Sequence, residues 1–315
     1  MFSKYKYVHM LYQEKSFTKA AEKLYISQPS LSAAIKGIEK ELGAPIFQRT
    51  GAGVVPTDVG QVYVDAVEEI VRIERDCMRK INDIGNLVTG SLVVGGSNYL
   101  SSYVFPRVIN IFTSRYPGVH VDIQEANATA MEEMLEQDQV DLVIDSFDTD
   151  AGRYHYRPLT RERILLCVPA DREINRKFRE AAVRPDDIYY GMVDLDSVPA
   201  VSIKEFAEEP FVILKKGNDM HARAAEIFGT AGVDPQVRFR VDQMTIAYAM
   251  TELGTGLCFA TDTLFRYGRF PDRDVSLYQL KEDTRSRTLC VAYRKNKYCT
   301  RAMEKFTEVA REFLG

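Results

Sequence analysis

Gln28, Ser30, Ser32, Lys36 and Lys40 lie close together and have the chemistry to read a nucleic acid. A glutamine amide pairs bidentately with an adenine edge, serine hydroxyls bond to bases or phosphates, and lysines neutralise phosphates. Among them Leu31, Ile35, Ile38 and Leu42 recur at spacings of 4, 3 and 4, so the apolar set takes one helical face and the polar set points outward. Ser27 is placed to cap this helix, Pro29 falls in its first turn where a missing N–H costs little, and Gly43 suits its end. Just upstream, Phe17, Ala20, Ala21 and Leu24 mark one face of a helix of about two turns, with Ser16 as its N-cap. Two helices joined by so short a turn must cross with their apolar faces together, which is a helix-turn-helix.

The stretch from Ser16 to Gly60 resembles the N-terminal winged helix-turn-helix of the LysR-type transcriptional regulators. The matching residues are Ser16-Phe17-Thr18, Ala20-Ala21, Leu24, Ser27-Gln28-Pro29, Leu31-Ser32, Ile35, Glu39, Leu42-Gly43, Phe47, Arg49, Thr57 and Gly60. Thr18, Ser27, Gln28, Pro29, Ser30, Ser32, Lys36 and Arg49 are therefore the expected DNA contacts. Arg49 belongs to a wing read from Pro45 to Pro56, two short apolar strands about a Gly-rich turn. In the resembled fold this wing lies along the minor groove or backbone. One position departs from the family, which usually places Arg directly after the serine equivalent to Ser32. Ala33 and Ala34 stand there, with Lys36 as the nearby cation to compensate.

Charge distribution agrees with this head. The chain of 315 residues carries a formal net charge of −4, but residues 1–58 hold eight Lys/Arg against five Asp/Glu, a net +3 that leaves −7 for the rest. A first helix is expected over residues 2–14, with Val8, Leu11 and Tyr12 inward and Ser3 as cap. After Thr57, Val59, Val62, Ala66, Ile70, Ile73, Cys77, Ile81, Ile84 and Val88 recur at spacings of 3 and 4. That seam predicts a helix of about 45 Å at 1.5 Å per residue. Its eleven-residue period suits nearly straight pairing, and a two-fold homodimer through it would set two recognition helices on successive half-sites.

Beyond Gly90 strands alternate with helices: SLVVGGS, VHVDIQEA, VDLVID, RILLCVP, PFVILKKG, VRFRV, GLCFA, SLYQL and LCVAY, closed by an amphipathic helix from Thr300. The alternation predicts α/β lobes with parallel sheets. Two such lobes resemble the periplasmic-binding-protein-like effector domain of the same family. The expected division is a DNA-binding domain at 1–58, a linker helix at 59–88, a first lobe at 89–162 and 269–315, and a second lobe at 163–268. Residues 172–199 look longer than the family counterpart and read as an irregular, solvated insertion on the second lobe.

Ligands of open α/β sheets sit beyond the carboxyl ends of strands, near helix N-termini. Ser97, Asn98, Thr129, Ser202 and Thr245 occupy such places, and hydroxyls, amides and helix dipoles suit a small organic anion. Lys204, Lys215 and Lys216 are available to add charge.

An enzyme is not expected. His9, His120, His155 and His221 have no metal-ligand spacing, and neither Gly95-Gly96 nor Gly254 to Gly256 makes a phosphate loop. No cofactor or metal is expected. Cys77, Cys167, Cys258, Cys290 and Cys299 are scattered; Cys290 and Cys299 are the pair to consider for redox sensing, because peroxide-sensing members of the family use one. The resemblance implies double-stranded DNA, a small-molecule effector, a homodimer or homotetramer, and RNA polymerase as partners, in the cytoplasm. The alternative is a solute-binding protein of the same two-lobe fold without regulatory DNA binding.

Overall fold

The computed structural model describes residues 4–51, 53–84, 90–146, 152–270, 275–282 and 286–315. The chain divides into two compact units, Met1–Ile84 and Gly85–Gly315.

The first unit comprises α1 (Tyr5–Glu14), α2 (Phe17–Lys23), α3 (Gln28–Leu42), β1 (Phe47–Thr50), β2 (Gly53–Pro56) and α4 (Asp58–Ile84). Its core gathers Val8 and Leu11 of α1, Ala20 and Ala21 of α2, Leu31, Ile35 and Ile38 of α3, and Tyr63, Val64 and Val67 of α4. The expected caps are in place: Ser16 accepts from the Lys19 N–H and Ser27 from the Ser30 N–H, and Gly43 ends α3 at φ 74°. β1 and β2 form the antiparallel wing. The proposed cap Ser3 and linker residues 85–88 lie outside the described residues.

The seam residues of α4 face outward, and a second apolar set, which the spacing did not pick out, packs into the head. Tyr63, Val64 and Val67 are buried in the head, whereas Val59, Val62, Ile73, Met78 and Ile81 are exposed, Val62 at 72%.

The second unit begins with β3 (Gly90–Gly96), α5 (Phe105–Arg115), β4 (Val119–Glu125), α6 (Ala128–Glu136), β5 (Leu142–Asp145) and the long strand β6 (Tyr154–Pro169). It continues with α7 (Ile174–Lys177), α8 (Pro185–Tyr189), β7 (Pro210–Leu214), α9 (Asp219–Ala231), β8 (Gln236–Val241), α10 (Met244–Glu252), β9 (Cys258–Thr261) and α11 (Asp262–Tyr267). β10 (Val275–Gln279), β11 (Ser286–Arg294) and α12 (Arg301–Leu314) complete it.

The sheets are mixed, not parallel as the alternation suggested. In the first lobe β3 is parallel to β4 and β5, but β11 runs antiparallel to both β5 and β6. In the second, β7 is parallel to β8, while β6 is antiparallel to β9 and β10. The odd strand in each lobe is the one that arrives from the other lobe, so no crossover helix reverses it. β6 serves both sheets, with Tyr154–Arg163 on β11 and Ile164–Pro169 on β9 and β10. β10 thus joins the second lobe's sheet, a correction to the placing of everything after 269 in the first lobe.

Residues 172–199 are also not a solvated loop. They fold into α7, α8 and two short turns that bury Ala181, Val183, Ile188 and Leu195. Val183 exchanges both backbone hydrogen bonds with Leu277 of β10. The segment covers the edge of the second sheet, an edge that otherwise invites pairing. Gly95 and Gly96 have a packing role: a Cβ would lie 2.4 Å from the Met131 sulfur at the first and 2.6 Å from the Phe105 ring at the second.

Candidate functional site

Two regions carry the residues singled out in the sequence. On the head, Gln28, Pro29, Ser30 and Lys36 of α3, Ser27 before it, Thr18 of α2 and Arg49 of β1 are all exposed, while Ser32 is half-buried. Gln28, Ser32 and Lys36 follow one another at i, i+4 and so share a face. The Ser27 hydroxyl is engaged with the Ser30 hydroxyl at 2.7 Å as well as capping the helix. Arg49 rests its guanidinium 5.7 Å from the Phe17 ring centre, which fixes the wing cation beside the start of α2. Glu39 of α3 accepts from the Ile46 N–H at 2.9 Å, tying α3 to the root of the wing. Sequence reasoning passed over Tyr25. It sits in the turn between α2 and α3, 95% exposed and at φ 54°, a left-handed conformation uncommon for a bulky side chain.

In the second unit a cavity of about 240 Å³ opens between the lobes. Ser97 and Asn98 line it, as expected. Thr129 and Thr245 act instead as clasps across the cleft: Thr245 donates to Asn98 Oδ1 at 2.7 Å, and the Thr129 N–H donates to the Gly217 carbonyl at 3.3 Å. A third clasp runs from Gln243 to Glu125 at 3.0 Å. Ser202 is a correction. It caps the turn at Ile203–Phe206 and bonds Glu282 at 3.0 Å, beside Val201, which pairs with Leu280. Leu280 borders a separate, smaller pocket with Arg163 and Gln279, and Ser202 is not among the residues lining the interlobe cavity.

The residues that dominate the cleft are charged and were not singled out. Arg287 of β11, with its side chain 4% exposed, donates from Nε to Glu162 at 2.7 Å, from Nη1 to Asp219 at 2.6 Å and from Nη2 to the Tyr99 hydroxyl at 2.9 Å. Tyr99 in turn donates to Glu162 at 2.8 Å. Burial, and then Glu162, pushes the Tyr99 hydroxyl well up, so it remains a donor. Asp219, in the first turn of α9, also holds Arg223. Asp145, at the end of β5, is 6% exposed and lines the same cavity. Its carboxyl is pushed up to about 6, chiefly by burial, against the pull of Arg287 and the Ser146 N–H.

Glu125, Asp145, Asp219 and Asp242 line the cavity and Arg287 is the cation among them. Lys215 is engaged with Asp242 at 2.7 Å. The helix ends are also met from within the chain: Asn127 accepts from the Ala130 N–H at α6, and Asp219 occupies the first turn of α9.

Asp145 yields a stability prediction. A carboxyl raised from 3.8 to about 6 in the folded state contributes stability that is full below pH 3.8 and lost as pH rises through 6. Asp145→Asn is expected to stabilise the ligand-free protein at about pH 7.5, on the order of 1–3 kcal/mol. The gain should vanish near pH 4. Urea unfolding at both pH values checks this, and a variant less stable than wild type at pH 7.5 contradicts it.

Comparison with known proteins agrees with this architecture. Residues 2–61 match the family model described as a bacterial regulatory helix-turn-helix protein of the lysR family, and residues 85–315 match the LysR substrate binding domain. The chain belongs to the LysR family of transcriptional regulators. It is 29% identical over 314 residues to the uncharacterized HTH-type transcriptional regulator YcgK of Bacillus subtilis, covering 98% of this chain and 93% of that one. Its fold is similar to a full-length OxyR variant from Pseudomonas aeruginosa, with a TM-score of 0.72, 21% identity and coverage of 99% and 94%. It is also similar to full-length CbnR in complex with its target DNA, with a TM-score of 0.65, 16% identity and coverage of 99% of both chains. Among the described residues no helix is long and apolar enough to cross a membrane.

Proposed function

We propose that this regulator reads promoter DNA through the outer face of α3, with Gln28 and Ser32 on base edges. Ser27, Ser30, Thr18, Lys36 and Arg49 then hold the phosphates, and Tyr25 adds a backbone contact. The observation that carries this reading is the exposed polar face of α3 above a head core that is closed on its other side. Ala33 leaves the following position without a cation, so Lys36 supplies the phosphate charge nearest the helix start. The exposed row Val59, Val62, Ile73 and Ile81 of α4 pairs with a second copy, giving a homodimer that assembles into a homotetramer. A ligand in the interlobe cleft favours one arrangement of the lobes and so changes the spacing of the heads. That spacing sets which half-sites are held together and how RNA polymerase meets them. The protein acts in the cytoplasm, as a regulator rather than an enzyme.

Retention of the DNA upstream of its own gene, measured at several salt concentrations, tests the reading. Gln28→Ala with Ser32→Ala is expected to weaken specific binding by roughly 10- to 100-fold, since one good base contact contributes about 1–3 kcal/mol. The salt slope, set by phosphate contacts, should be unchanged. Specific binding that survives the double substitution would remove α3 from base readout.

A further inference from the structure

We infer that the interlobe cavity takes a small organic cation, an alkylammonium or guanidinium metabolite, anchored on Asp145. This rests on the reading of the second unit as the ligand-binding domain and names the chemistry of that ligand. Asp145 is only 6% exposed, lines the cavity, and accepts from the Ser146 N–H at 2.8 Å. Arg287 acts on it only through space, its ion pairs among the described residues going to Glu162 and Asp219. A buried carboxylate whose nearest cation is shared with two other carboxylates is costly to keep charged, and an arriving cation reduces that cost.

Arg287 does not fill the role. Three of its five N–H donors are engaged by Glu162, Asp219 and Tyr99, two of them carboxylate-bound. An anion arriving at the remaining N–H groups of Arg287 would meet a guanidinium whose charge Glu162 and Asp219 already offset. It would also face Asp145 and Asp219 inside and Glu125 and Asp242 on the lining. A cation meets the reverse arrangement. The Ser97 hydroxyl, buried and without a hydrogen-bond partner among the described residues, supplies a further acceptor on the lining. Leu214, Met220 and Met244 provide an apolar wall for a short alkyl stem. The cavity of about 240 Å³ matches a molecule displacing about eight waters at ~30 Å³ each.

The same arrangement makes the ligand a closing agent. Asp145 belongs to the first lobe and Asp219 to the second, and Asp219 acts on Asp145 as a like charge. A further cation beside Arg287 offsets that like-charge repulsion across the cleft and works with the Asn98–Thr245 and Glu125–Gln243 clasps.

The test is calorimetric titration and thermal shift on the full-length chain at low salt, using pairs matched in shape and opposite in charge. The pairs are 1,4-diaminobutane against succinate and butylamine against butyrate, with 4-aminobutylguanidine and magnesium chloride added. At least one organic cation is expected to bind and raise the melting temperature, with the acids inert. Asp145→Asn should weaken that binding about tenfold or more. Glu125→Gln, on an exposed side chain whose amide oxygen keeps the Gln243 bond, should weaken it about threefold. Binding of succinate or butyrate, cation binding indifferent to both substitutions, or stabilisation by magnesium alone overturns the proposal. Promoter retention is measured on the same preparations. Inert organic cations with promoter binding intact overturn the ligand class and leave the regulator standing. Absent promoter binding counts against the regulator, whatever the titrations give.

Discussion

Arg287→Met is expected to destabilise the second unit by about 3–5 kcal/mol, the scale for breaking a buried ion pair by removing one partner. The substitution keeps apolar volume and deletes the charge that Glu162 and Asp219 share. Glu162, with its side chain 0% exposed, would keep only the Tyr99 hydroxyl. Asp219 would keep Arg223 and is the less affected of the two. Arg287 also pulls the Asp145 carboxyl down, so its loss raises that group further and deepens the penalty at neutral pH relative to acid. Urea unfolding of the second unit at about pH 7.5 and pH 5 should therefore show a smaller deficit in acid. Adding Glu162→Gln to Arg287→Met removes the stranded charge and leaves an acceptor for Tyr99, so it should recover about half of the loss or more. A single substitution costing under about 1 kcal/mol, the range of surface ion pairs, would mean that the triad is solvated.

The head was legible because its signals are local. Ser16 and Ser27 cap the helices they precede, and Gly43 ends α3 in the left-handed region, each within a few residues of the pattern it serves. The wing followed for the same reason. Ser97 and Asn98 were found because a strand end is also a local signal, but the same rule misplaced Ser202, whose strand partner Leu280 lies far along the chain. The charged cluster was out of reach by this route. Arg287 meets Glu162 across 125 residues and Tyr99 across 188, and in the sequence each is an ordinary polar residue in or beside a strand. Only the β6–β11 register, which sets Arg287 opposite Glu162, brings them together. The one available hint was Asp145, an acid ending an otherwise apolar strand. The expectation of an anionic ligand rested on helix ends alone, and the carboxylates beside them, Asp145 and Asp219, come into the cleft only through the fold. In α4 the 3- and 4-residue spacing picked out the exposed row, whereas Tyr63, Val64 and Val67, which join the head core, lie between its members.

Gly60→Ala is expected to unfold the head's packing and lower promoter retention by about 100-fold or more, although helix propensity alone favours alanine in α4 by about 1 kcal/mol. Packing decides the sign. A Cβ at position 60 would stand 1.8 Å from the Ile46 carbonyl oxygen and 2.7 Å from its carbon. Both are backbone atoms that no side-chain rotation can move aside. Ile46 is fully buried and held from two directions: its N–H donates to Glu39 of α3, and its carbonyl accepts from the Thr57 N–H at 2.9 Å. Making room means drawing the root of the wing away from α4 and loosening both links, and with them the seat of the recognition helix. Overpacking against side chains costs about 1–3 kcal/mol, and a backbone collision should reach the top of that range or exceed it. Hydrogen exchange should show protection lost in α1 to α3 while β3 to β6 keep theirs, because the second unit has its own core. Gly37→Ala is the matched control, since nothing lies within 4 Å of its added Cβ; it should be neutral or stabilising by up to about 1 kcal/mol. If both substitutions stabilise alike, the contact between α4 and the wing root is looser than 1.8 Å implies, and propensity, not packing, governs the head.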